Sequence, residues 1–195
     1  MNERHRPNIR SFVRRRRSGR GISAEHHDDG LAPQVQGHTA SRSRVIDSAI
    51  YLGGHRVDGV ETIADTVAHL RERPDGLAWI GLYRPDADEI EELAAEFDLH
   101  PLAVEDAIHA HQRPKIERYD DTLFVVLRPA RYRDDLEEVE FGEVHLFVGR
   151  NFVLTVRHSE APEFRSVRRR LEAQPELLAQ GPEAVLYAVM DQVVD

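Results

Sequence analysis

"LAWIGLY", residues 77–83, is apolar on both of its alternating faces. A half-exposed strand reads polar at every second position, because successive side chains point to opposite sides of the sheet. A run without that alternation is an interior strand covered from above and below. "TLFVVLR" at 122–128 has the same texture. "EVHLFVGRNFVLTVRH" at 143–158 reads as two further strands turned back on each other through Gly149, Arg150 and Asn151. Strands that need cover on both sides demand helices on both sides. The predicted fold class is therefore α/β: an α/β/α sandwich around a mixed parallel and antiparallel central sheet.

Outward from that core, "RVIDSAIYLGGHRV" at 44–57 reads as two short strands joined by Gly53-Gly54, a favourable two-residue hairpin turn. Asp58 with Glu61 resembles a capping box, and Val60, Ile63, Ala64, Val67 and Leu70 then recur on one helical face up to Pro74. Ile90, Leu93, Ala94 and Phe97 mark a helix over 87–97, and Pro101 opens a shorter one over 101–110. Helices near 161–173 and 182–195 close the chain. In the last one Leu186, Val189, Met190 and Val193 form the expected apolar stripe, opposite Glu183, Tyr187, Asp191 and Asp195. It ends with no Gly, Asn or basic last turn, so it is expected to continue in a longer natural chain.

The first 43 residues differ in kind. They are rich in Arg, Ser, Gly, His and Pro with almost no apolar periodicity, the composition of a disordered Arg-rich extension, and the folded domain is assigned to 44–195. Residues 1–20 hold eight Arg and one Glu, so the remainder of a chain of net charge −9 is strongly acidic. An acidic body argues against a nucleic-acid groove and attracts cations. His26, His27, Asp28 and Asp29 are metal-ligand types, but nothing near them would preorganise a site. There is no cysteine, which removes disulfides, thiol nucleophiles and thiolate metal sites. No apolar run approaches the ~20 residues that span a bilayer.

Within "PLAVEDAIHA", 101–110, each helical residue advances about 100°, which sets Glu105, Asp106 and His109 on one side and Val104, Ala107 and Ile108 on the other. Adjacent carboxylates suit Mg²⁺, a hard cation bound by one or two carboxylates while it keeps several waters. One helix cannot complete such a site, and the same pattern also fits a solvated acidic face. His109 and His111 do not share a helical face, so a zinc site lacks ligands. Glu105 or Asp106 with His109 could act as acid and base in a stand-alone enzyme, although no nucleophile or oxyanion device accompanies them. Lys115 is the only lysine among 26 basic residues. Its compact ammonium can hold a carboxylate where a guanidinium fork would not fit, a structural role in a turn entering a strand.

Taken together, "LHPLAVEDAIHAHQRPKIERYDD" with "LFVVL", "WIGL", "NFVLTV" and "LYAVMDQVVD" resembles the cytoplasmic N-terminal domain of the CorA family of Mg²⁺/Co²⁺ transport proteins, over residues 45–195. The resemblance implies a soluble piece of a homopentamer at the cytoplasmic face of the cell membrane, ending at the start of a long stalk helix. The membrane helices and their Gly-Met-Asn signature are not in this sequence. It implies a regulatory Mg²⁺ site between subunits, with Asp106 as ligand, Glu105 as accessory, and a partner carboxylate from a neighbouring stalk. Co²⁺ is the other cation implied. The domain would be neither a catalyst nor a nucleic-acid binder, and a sister transporter moving Zn²⁺ shares the same soluble motif.

Overall fold

A computed structural model describes residues 45–58, 62–160 and 164–194, all within a unit spanning 41–195. The expected extension over residues 1–43, including His26, His27, Asp28 and Asp29, lies outside the described residues.

Strands β1 (Val45–Leu52) and β2 (His55–Val57) form the expected hairpin, with Leu52 opposite His55. Gly53 and Gly54 both have positive φ, as a tight two-residue hairpin turn requires. Helix α1 (Ile63–Glu72) starts later than the Asp58/Glu61 pattern implied. Its cap is Thr62, whose hydroxyl oxygen accepts from the Asp65 N–H. β3 (Leu77–Tyr83) follows, buried at every position but the last. Helix α2 (Ala87–Phe97) is closed at its start by an Asp86–Glu89 capping box. Helix α3 (Pro101–His109) has Pro101 in its first turn and the His100 imidazole accepting from the Leu102 N–H.

β4 (Lys115–Tyr119) and β5 (Thr122–Leu127) form an antiparallel pair. A separate ribbon, β6 (Ala130–Arg133) with β7 (Glu138–Phe141), was not anticipated. β8 (Val144–Val148) and β9 (Phe152–Arg157) are the predicted antiparallel hairpin. Helices α4 (Arg165–Glu172), α5 (Pro175–Leu178) and α6 (Pro182–Val194) complete the described chain, the short α5 being unforeseen.

The main sheet has seven strands in the order β2-β1-β3-β9-β8-β5-β4, with one parallel neighbour pair, β3 and β9. Alternation sorts the side chains. Leu77 and Trp79 enter a core beneath α4, α5 and α6, whereas Ala78, Ile80 and Leu82 enter a second core beneath α1, α2 and α3. This is the predicted α/β/α sandwich. Val189 of the expected α6 stripe is buried, Leu186 packs against the core and Tyr187 faces out as expected; Met190 is exposed, and Ala184, Val185 and Ala188 are buried in addition.

Candidate functional site

The "HPLAVEDAIHAHQRPKIERY" motif is one structural unit built on α3 and β4. His100 caps the helix and stacks on Tyr119 of β4, ring centroids 4.3 Å apart. Ala103, Val104 and Ala107 bury the inner face of α3. β4 then turns Lys115, Glu117 and Tyr119 toward α3 and leaves Ile116, 61% exposed, on the uncovered side.

Asp106 and Lys115 meet across this unit. Lys115 Nζ donates to Asp106 Oδ2 at 2.6 Å and to Glu117 Oε2 at 2.8 Å, and the Tyr119 hydroxyl donates to the same Glu117 oxygen at 2.9 Å. The ammonium also lies 5.7 Å from the centre of the Phe124 ring. The hydrogen bonds that Lys115 donates to Asp106 and Glu117 raise its pKa above the ordinary value, which favours the charged form. The Lys115 and Tyr119 bonds hold the Glu117 carboxyl below the usual range. Asp106 is only one-quarter exposed, and Oδ2 is the oxygen it commits to Lys115.

The three acidic and imidazole groups predicted to share a face of α3 do not converge. Asp106 turns to β4. Glu105 is exposed beside a shallow groove between α2 and α3 with Ile108 and His109. His109 spends its Nδ1–H on the Glu105 backbone carbonyl at 2.8 Å. Among the described residues no group of three or more His, Asp or Glu side chains is placed to hold a metal ion. Asp106 and Glu105 are thus separate single carboxylates with different surroundings.

Beneath the end of α3 lies a buried polar cluster that the sequence reading did not identify. His145, the second residue of β8, is fully buried, and its Nε2 is 2.7 Å from Glu143 Oε1. Glu143 Oε1 also accepts the Gln112 N–H at 3.0 Å, and Oε2 accepts from Arg128 at 3.3 Å. The His158 ring lies 4.9 Å from that of His145, tilted by 57°, and hydrogen-bonds to the Ala107 backbone. Burial pushes the His145 imidazole down to about 4 and lowers His158 as well, so both rings are neutral at pH 7. Burial works against the Glu143 carboxylate, yet its bonds from Gln112, His145 and Arg128 hold its pKa below the ordinary value. This cluster pins the chain at 110–112, where Ala110 and His111 both have positive φ, a strained conformation for residues with a Cβ. The available signal was a histidine within an otherwise apolar strand.

The more enclosed cavity, about 180 Å³, is on the opposite face of the sheet. Its wall includes Arg168, 5% exposed, which binds Asp47 Oδ2 at 2.9 Å, the Tyr51 hydroxyl at 2.9 Å and the Trp79 carbonyl at 3.0 Å. That guanidinium is consumed in joining α4 to β1 and β3. No helix among the described residues is long and apolar enough to cross a membrane.

Residues 74–195 match the family model described as CorA-like Mg²⁺ transporter protein. The chain is 39% identical over 125 residues to "Putative metal ion transporter YfjQ" of Bacillus subtilis, covering 64% of this chain and 38% of that protein. It is 31% identical over 121 residues to "Cobalt/magnesium transport protein CorA" of Thermotoga maritima, covering 60% of this chain and 34% of that one. The chain thus spans little more than a third of the length of these relatives. Its fold is similar to the full-length CmaX protein, with a TM-score of 0.58 and 18% identity over 80% of this chain and 47% of that one. It is similar also to the soluble domain of CorA from Methanocaldococcus jannaschii, with a TM-score of 0.52 and 16% identity over 77% of this chain and 56% of that one. On a match that runs from Pro74 through the α3–β4 unit to Asp195, this chain belongs to the CorA-like Mg²⁺ transporter family.

Proposed function

We propose that this chain is the cytoplasmic, cation-sensing part of a CorA-like transporter of Mg²⁺ or Co²⁺, with Asp106 as the sensing ligand. The observation that carries this reading is a single partly exposed carboxylate, fixed in direction by Lys115, at the acidic position of the family motif. Two relatives are named as metal-ion and cobalt/magnesium transport proteins, which supports a divalent cation as the ligand class.

One carboxylate binds Mg²⁺ weakly, because the ion holds its water and needs octahedral oxygen coordination. The site becomes strong enough only when a carboxylate of a neighbouring copy faces Asp106. Glu105, exposed one residue earlier, adds negative potential and serves as an accessory ligand. In a homopentamer, ions at five such interfaces favour a closed arrangement, and their loss lets like charges separate the domains. Moving an equilibrium from 1:99 to 99:1 takes about 5.5 kcal/mol, so five sites of about 1 kcal/mol each nearly suffice. Each must bind the closed state better than the open one.

The test is ion flux through the full-length transporter carrying Asp106→Ala. Weakened inhibition by internal Mg²⁺, with the fold retained, is the expected result. Inhibition identical to wild type overturns Asp106 as the sensor.

A further inference from the structure

Lys115 occupies the position, relative to Asp106, that a bound cation would take. Its ammonium sits between two carboxylate oxygens on different elements, 2.6 Å from Asp106 Oδ2 on α3 and 2.8 Å from Glu117 Oε2 on β4. Its backbone is fixed by pairing with Val126, and its alternation places it facing α3. Glu117 is itself held by the Tyr119 hydroxyl, and Tyr119 by the His100 ring that caps α3. The ammonium therefore has little freedom to leave. We propose that Lys115 is a tethered competitor for the metal: an internal monovalent cation that a divalent ion must displace from Asp106 before the carboxylate can enter its coordination shell.

This inference rests on Asp106 as a metal ligand and adds what sets the threshold of that site. An ammonium on the same chain competes at an effective concentration fixed by its tether, independent of dilution. It carries one charge against two, so it loses at high divalent concentration and wins at low. Lysine is suited to this as a compact point charge with three donors, whereas the planar fork of arginine would engage one carboxylate bidentately and be harder to displace. The choice is pointed in a chain where every other fixed cation is arginine.

The experiment measures Mn²⁺ binding by electron paramagnetic resonance, with Mg²⁺ as competing ion, on the full-length transporter and its variants. Lys115→Met is expected to tighten Mn²⁺ binding at least tenfold, with Mg²⁺ displacing the ion, and Lys115→Met/Asp106→Asn is expected to abolish the gain. Lys115→Gln, which retains a polar group of similar length, is the second variant if methionine destabilises the fold, and is expected to act in the same direction. Folding is monitored by thermal unfolding and near-ultraviolet circular dichroism. Affinity unchanged or weakened in a folded Lys115 variant overturns the competition. If Asp106→Asn lowers binding while neither Lys115 variant raises it, the sensing assignment stands and the competition alone fails. If Asp106→Asn alters binding in neither background, both fail.

Discussion

His145 on β8 and Glu143, the residue just before that strand, are both buried and joined by a 2.7 Å contact between Nε2 and Oε1. The chain entering β8 thus sets its carboxylate against the second residue of the strand. The imidazole is neutral and donates, the carboxylate is charged and accepts, and the second acceptor function of Glu143 holds the loop after α3.

Stability is expected to fall as pH drops from 6.5 toward 4. His145 is neutral in the folded chain down to about pH 4, whereas in the unfolded chain it takes a proton near 6.5. The unfolded state binds the extra proton throughout that window, so the contribution is complete above it and lost below it. The magnitude is about 3 kcal/mol, and His158 acts in the same direction. The Glu143 contribution fades only below its own unfolded value of 4.5. Urea denaturation between pH 7 and 4.5 checks this, and His145→Gln, which keeps a donor but does not titrate, is expected to flatten the profile.

The two turn glycines are expected to behave differently. At Gly53 a methyl group meets nothing within 4 Å, so Gly53→Ala costs about 1 kcal/mol for its positive φ. At Gly54, φ +81°, a Cβ would fall 1.9 Å from the Pro175 carbonyl oxygen, which is backbone and cannot step aside. Gly54→Ala is expected to cost about 3 kcal/mol or more, since strain and overpacking add. Equal effects in denaturant titrations would contradict the close approach of the turn to α5.

Arg168→Met is expected to destabilise by about 3–5 kcal/mol, because it leaves Asp47, the Tyr51 hydroxyl and the Trp79 carbonyl without their shared donor. The guanidinium also lies 4.2 Å from the Trp79 ring, so the emission of this single tryptophan should change in the folded variant. Loss under about 1 kcal/mol would show that the arrangement is not tied to stability.

Asp86→Ala is expected to cost about 1 kcal/mol, by removing the side-chain half of the α2 capping box. Thr62→Ala should cost a similar amount at α1, whose cap it provides. Thermal unfolding of both variants measures this, and a change at Thr62 within error would place the start of α1 elsewhere.

The layers were legible in the sequence because burial on two faces leaves a mark that alternation cannot hide. Leu77 to Leu82 and Val144 to Val148 carry it. The β6–β7 ribbon was harder to see because it packs on neither core: Tyr132, Val139 and Phe141 are exposed, and its stability comes from cross-strand pairs such as Arg133 with Glu140. The candidate site was half legible. Helical spacing placed Glu105 and Asp106 on the outer side of α3, but spacing carries no information about which partner a side chain finds. Asp106 is turned away from Glu105 by Lys115, a contact between elements. The Glu143 cluster eluded the reading for the same reason, since Gln112, Arg128 and His158 reach it from three other places in the chain.

The parallel seam between β3 and β9 divides the sheet into two antiparallel halves, β2-β1-β3 and β9-β8-β5-β4, joined only there. Ala78 waits for Phe152, 74 residues later in synthesis, before its free edge is covered. Until then an emerging chain presents a bare, wholly apolar strand to its surroundings, the arrangement most prone to pairing with another nascent copy. The second half can assemble as a local meander, so seam closure, with its high contact order, is the step expected to limit the folding rate.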